Sequence, residues 1–152
     1  SGGVGVFAPH QADGVGVFDA SMGTFTSVDI SRIVPELSRY CGAATTHGGQ
    51  VVFAPYGVKS VGLFDPAALS FEAIHFDLFS GMDWGRYYGA ATAANGQVVF
   101  APYRANNVGV FDPDSRTFSI VGASSGGSET GSTGSALFVK HPCEILLTTN
   151  IK

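Results

Sequence analysis

Charge is what this chain has least of. Acidic and basic residues together make up 13% of its 152 positions, about half the share of an ordinary globular protein. Helix surfaces are normally covered by Lys, Glu and Arg, so this scarcity argues against an exposed helical architecture. The eight basic residues are scattered singly and the net charge is -4. Nucleic-acid binding, which is dominated by phosphate neutralisation, is therefore disfavoured. No apolar run approaches the roughly 18 residues that a spanning helix needs, and no charged segment followed by an apolar one opens the chain. The sequence reads as soluble or peripherally bound, in an unassigned compartment. Ser1 in place of Met reads as a processed product or a fragment.

Cysteine is scarce too. Cys41 and Cys143 stand far apart with no CxxC spacing, which gives no support to zinc or dithiol redox chemistry. Free thiols are the expectation, with a disulfide between the two left open.

What the chain does have is glycine and aromatic residues: 21 Gly, 12 Phe and five Tyr within a 45% hydrophobic composition. This mixture suits strands and tight turns, and the length suits one compact unit. The stretch "GQVVFAPY" stands at 49–56 and again at 96–103, with a worn copy, "GVGVFAPH", at 3–10. Phe7, Phe53 and Phe100 recur at steps of 46 and 47, as do Asp19, Asp65 and Asp112, and Phe25, Phe71 and Phe118. A period in the forties without helical patterning is the mark of propeller blades.

The punctuation within a copy predicts four strands. "GAAT" (42–45 and 89–92) is followed by a turn in which Asn95-Gly96 predicts a type I′ hairpin. "VVFAPY" is the second strand, "VGLFD" or "VGVFD" the third, and "FEAIHFDL" or "FSIV" the fourth. Between the last two, Asp65-Pro66 and Asp112-Pro113 open a turn. The expected fold is all-β: four-stranded antiparallel blades forming an incomplete ring. The predicted blades are 1–40, which lacks its first strand, 41–87 and 88–123. A Ser/Gly-rich linker at 124–135 and a degenerate partial blade or closing strand at 136–152 complete the division. Such blades need neighbours on both faces, so the expected partners are a protein, further blades or further copies that close the ring.

At "FAPYRANNVGVFDPDSRTFSIV" the chain resembles the blade repeat of propellers related to streptogramin lyase and, more loosely, NHL and kelch repeats. Those families alternate an aromatic- or acidic-ended strand, an Asn-bearing loop, an "IGRIDP"-like strand and a "TGxxxxF"-like turn. In the lyase relatives a small His/Glu set acts with magnesium on one face of the ring. That set is not recognisable here, because His10, His47, His75 and His141 occupy different positions and none is paired with a Glu at a comparable spacing. The resemblance thus implies a fold, but no catalytic residue, metal or cofactor.

A meander dictates which loops share an end. His10, Tyr56 and Tyr103 close the second strands, with Asp13, Lys59, Arg104, Asn106 and Asn107 in the loops beyond. Arg39-Tyr40 and Arg86-Tyr87, in register before the first strands, join that end. One reading is a ring of Arg and Tyr around a funnel, suited to a carboxylate or a sugar. The competing reading is that the arginines bond loop carbonyls and the tyrosines pack between blades. Trp84, the single Trp, is a further candidate anchor. The repeated Asp residues are explained by their turns, and nothing places Glu72, Asp77 and Asp83 as an acid–base pair. The leading functional reading is a non-enzymatic binding or scaffold module, an accessory subunit of a larger assembly. The alternatives are a lyase- or lactonase-like enzyme completed by further blades, and a lectin.

Overall fold

The computed structural model describes residues 3–77 and 85–122. It contains eleven strands in three antiparallel sheets, each a meander in chain order. The first sheet comprises β1 (Val4–Phe7), β2 (Gly14–Asp19) and β3 (Thr24–Asp29). The second comprises β4 (Tyr40–Thr45), β5 (Val51–Pro55), β6 (Ser60–Asp65) and β7 (Ser70–His75). The third comprises β8 (Tyr87–Thr92), β9 (Val98–Pro102), β10 (Asn107–Asp112) and β11 (Thr117–Gly122). These are blades of a β-propeller. The linker and the partial blade expected within 124–152, with Trp84 and Asp83, lie outside the described residues. No helix among the described residues is long and apolar enough to cross a membrane.

Alternation along each strand gives every sheet one aliphatic and one aromatic face. Val52, Ala54, Val61 and Leu63 of the second sheet meet Tyr87, Phe100, Phe111 and Phe118 of the third. One step earlier, Val15 and Val17 of the first sheet, with Ile30 just beyond β3, meet Tyr40, Phe53 and Phe64 of the second. The middle sheet is thereby covered on both sides. Ring geometry repeats as well: Phe53 stacks on Phe71 at 6.4 Å and Phe100 on Phe118 at 6.1 Å. Gly62 and Gly109 lie beneath these rings, where a Cβ would stand about 3 Å from aromatic carbons, so the missing side chain makes the ring packing possible.

The first strand of a blade begins two residues earlier than "GAAT" predicts, because the tyrosines pair too: Tyr40 with Pro55, and Tyr87 with Pro102. A bulge follows in each case. There Gly42, at φ 91°, approaches Gly89 so closely that a Cβ would collide with its backbone. Strands β4 and β8 can lie this close only because Gly42 lacks one.

The Asp turns form as predicted. One Oδ1 of Asp19, Asp65 and Asp112 accepts the amides two and three residues on, at 2.8–3.2 Å. Each turn ends on a left-handed residue: Gly23, Leu69 or Arg116. The hairpin at Asn95-Gly96 differs from expectation. Only Gly96 has positive φ, 89°, whereas a type I′ turn needs both central residues there. Asn95 instead uses its side chain, whose Oδ1 accepts the Gln97 amide at 3.2 Å.

Candidate binding face

The end of the sheets where second strands close is tied together by backbone bonds that pass from blade to blade. The amide of Arg39 donates to His10 O (2.8 Å), and that of Arg86 to Tyr56 O (3.2 Å). Within the second and third sheets, Arg39 O in turn accepts the Tyr56 amide (3.1 Å) and Arg86 O the Tyr103 amide (2.8 Å), extending the β4–β5 and β8–β9 pairings. The strand-closing residue of one blade is thus held beside the entry strand of the next. Their side chains follow, which is why residues about 47 apart in sequence come together.

The aromatic side chains so placed form a continuous arc. His10 meets Tyr56 edge-on at 5.0 Å. Tyr56 contacts Tyr88 at 5.8 Å and Tyr103 at 6.1 Å, and Tyr88 contacts Tyr103 at 5.5 Å. The Arg104 guanidinium lies 5.9 Å from the centre of the Tyr103 ring, within cation–π range. Tyr103 is the most open member, 53% exposed, and Tyr56 and Tyr88 are half-buried. His10 Nε2 is buried and has no hydrogen-bond partner among the described residues. Ring against ring fixes the arc without freezing any long side chain, so it presents apolar surface with little ordering cost.

The Arg-Tyr pairs sit behind this surface. Arg39, 1% exposed, donates from Nε to Val34 O (2.6 Å), from Nη1 to Ala12 O (2.7 Å) and from Nη2 to Asp13 Oδ1 (3.1 Å). Arg86 is buried as well. The hydroxyl of Tyr40 shares a 2.8 Å bond with Ser60 Oγ, and that of Tyr87 donates to Asn107 Oδ1 at 2.7 Å. Burial pushes both phenols above their ordinary pKa, since a phenolate there would lose its hydration. All four side chains are buried, Arg39, Tyr40 and Tyr87 bond within the fold, and Asn107 is engaged by one of them. The residues open to a ligand are Tyr56, Tyr88, Tyr103 and Arg104, with His10 at one end.

Tyr88 had no place in the sequence reading. Its signal was a break in the period, since the equivalent position in the second blade is Cys41. Elsewhere, a shallow cleft at the opposite end of the sheets is lined by Val4, Val6, Ala43, Ala44 and Thr45, with no charged group. No three His, Cys, Asp or Glu residues gather among the described residues. The depressed carboxyls of Asp19 and Asp112 reflect hydrogen bonds to Ser21 and Ser115 in the outer turns, away from the arc.

Comparison with known proteins agrees with the blade architecture. No family model and no curated protein sequence matches the chain. Among solved structures, streptogramin B lyase aligns over 78% of this chain with a TM-score of 0.63 and 13% identity, covering 37% of the lyase. Virginiamycin B lyase from Staphylococcus aureus aligns over 77%, with a TM-score of 0.61 and 11% identity, covering 36% of that chain. Hydrazine synthase from Kuenenia stuttgartiensis aligns over 76%, with a TM-score of 0.58 and 16% identity, covering 31% of that chain. The chain thus spans about a third of the length of these structures. At such identities the likeness is one of fold, and the fold resembles that of the streptogramin lyase-like propellers.

Proposed function

We propose that this chain is a propeller binding module that recognises a protein partner through the arc of Tyr56, Tyr88 and Tyr103, with Arg104 beside it. The observation that carries this reading is the continuous aromatic surface, contributed by more than one blade and open at Tyr103. Such a surface takes an extended peptide well: flat apolar side chains, proline above all, lie on tyrosine rings at small entropic cost. Arg104 adds a bidentate donor for a carboxylate on the same peptide. An accessory or scaffold role within a larger assembly follows from this kind of surface.

The likeness in fold to lyases favours a second reading, an enzyme whose site is completed by further blades. One experiment separates the two. The full chain is screened in parallel against a displayed random-peptide library and a glycan array, and incubated with virginiamycin B plus magnesium. The expected result is peptides rich in proline or aromatic residues and carrying an acid, whose binding falls at least about tenfold in Tyr103→Ala/Arg104→Ala while the melting temperature is unchanged. Glycan hits lost with the same substitutions, or turnover of the antibiotic, would overturn the protein-partner reading.

A further inference from the structure

Among the described residues, nothing covers the aromatic face of the first sheet as the later ones are covered. Phe7, Phe18 and Phe25 are 56%, 38% and 64% exposed, whereas Phe53 and Phe64, the equivalents of the first two in the middle sheet, are fully buried. Phe7 and Phe25 hold the same ring partnership as their copies, 6.3 Å apart. At the far side, the aliphatic face of the third sheet is open in the same sense. Val99, Val108 and Val110 are only half-buried and Val121 is 57% exposed. Their middle-sheet equivalents Val52, Val61 and Leu63 are 0–4% exposed. Three exposed phenylalanines on one sheet face form an apolar patch of the kind that marks an interaction surface.

What fits these faces is written twice inside the molecule. At both internal junctions the aliphatic face of one sheet covers the aromatic face of the next. The third sheet's open face is of the first kind and the first sheet's of the second kind. The chain therefore carries, at opposite sides, both halves of an interface that it already makes. We propose that a second copy of this chain docks head to tail, the Val99/Val110/Val121 face of each copy covering the Phe7/Phe18/Phe25 face of the other. The contact is heterologous, so it must close into a ring or propagate. With three sheets among the described residues of each copy, two copies place six such blades around one axis, within the usual four to eight. Three copies would exceed that range, so the closed dimer is the expected species. The inference does not depend on the peptide-binding reading, because the two faces lie between blades and the tyrosine arc lies at their loop end.

The test uses the full chain and reads mass in solution by sedimentation or light scattering across a concentration series. The expected species is twice the 15.7 kDa chain mass. Phe25→Glu and Val121→Glu each place a charge in one of the two faces, and each is expected to weaken association at least about a hundredfold. Mixing the two variants leaves one native junction, the aliphatic face of the first on the aromatic face of the second, and places both substitutions in the other. The mixture is therefore expected to associate through one junction, more tightly than either variant alone and less tightly than wild type. Both positions are exposed in the single copy, so below the association range each variant is expected to melt as wild type does, which separates lost docking from lost folding. A wild-type chain that stays monomeric at every concentration overturns the proposal. So does a dimer that survives both substitutions, or variants that dissociate alone and fail to rescue one another.

Discussion

The junction between the first and second sheets and the junction between the second and third are built from the same repeat positions, yet they are stitched differently. Both bury aliphatic residues against Tyr and Phe in the same order. The tyrosine hydroxyl bond recurs, Tyr40 to Ser60 and Tyr87 to Asn107, while at the loop end of the first junction Arg39 spans three acceptors. Lys59 stands at the position of Asp13 in the next copy, so the ion pair of Arg39 with Asp13 is not repeated from that position at the second junction. That junction instead carries an ion pair at its outer edge, Arg116 to Glu72 at 2.9 Å. The corresponding residues at the first are Leu69 and Thr26. Packing and the tyrosine hydroxyl bonds are what the period preserves, while the ion pairs occupy different places.

The largest expected effect that separates the two junctions is at Arg39. Replacing it with Ala strands Val34 O in a buried site and removes the partly buried bond to Ala12 O, and should cost about 3 kcal/mol in urea unfolding, since bonds from a buried charge carry about 1.5–3 kcal/mol each and an unpaired acceptor adds its desolvation. The Asp13 side chain is 76% exposed, so Asp13→Ala should cost under about 1 kcal/mol. Equal costs for the two variants would place the strength of the junction in the ion pair and contradict the assignment to carbonyls.

The same contrast explains how far the sequence could be read. Blade number, strand order and the sharing of one end by His10, Tyr56 and Tyr103 follow from spacing, because an antiparallel meander leaves no choice about which loops are neighbours. The fate of Arg39 and Arg86 does not follow from spacing. Both side chains are long enough to reach either a ligand or a carbonyl, and the difference lies in where Val34 and Ala12, in non-repeating loops, place their backbone oxygens. Identity in register recorded the needs of packing, so the most regular pair was the one turned inward. Tyr88 was missed for the converse reason: it breaks the period at Cys41, and such departures are where a repeat protein has room for chemistry. The I′ turn was misread because Asn95-Gly96 also fits a longer hairpin in which only the glycine turns left-handed and the asparagine side chain caps its own backbone.

Tyr40 gives a smaller effect with a definite pH signature. Burial raises its pKa above the usual phenol value of about 10, so between those limits the folded chain holds a proton that the unfolded chain has lost. With more protons bound in the folded state, stability falls as pH rises above about 10. Tyr87 shifts in the same direction and adds to the slope. Tyr40→Phe should cost about 1 kcal/mol at neutral pH through the lost bond to Ser60, and its unfolding free energy should fall less steeply than wild type between pH 9 and 12. A phenolate spectrum that develops fully near pH 10 in the folded protein, unchanged in the variant, would contradict burial of the hydroxyl.

The outer ion pair should have the smallest effect. Arg116 and Glu72 are 54% and 48% exposed at their side chains, so water and salt screen most of the attraction and ordering two long side chains offsets part of the rest. A double-mutant cycle over Glu72→Gln and Arg116→Gln should give a coupling of about 0.3 kcal/mol that vanishes in 1 M salt. Because the first junction presents Thr26 and Leu69 at the same places, Thr26→Glu with Leu69→Arg should build the pair there and yield a coupling of similar size. Leu69 already holds the left-handed backbone of the turn, φ 50° against 55° at Arg116, so the new arginine would leave the chain from the same geometry. If the transplanted pair couples as the natural one does, the two junctions are interchangeable frames and differ only in which bonds have been placed on them. A transplanted coupling of zero beside a measurable natural one would mean that the sheets meet at different spacings along their outer edges, and that the packing is less periodic than its residues.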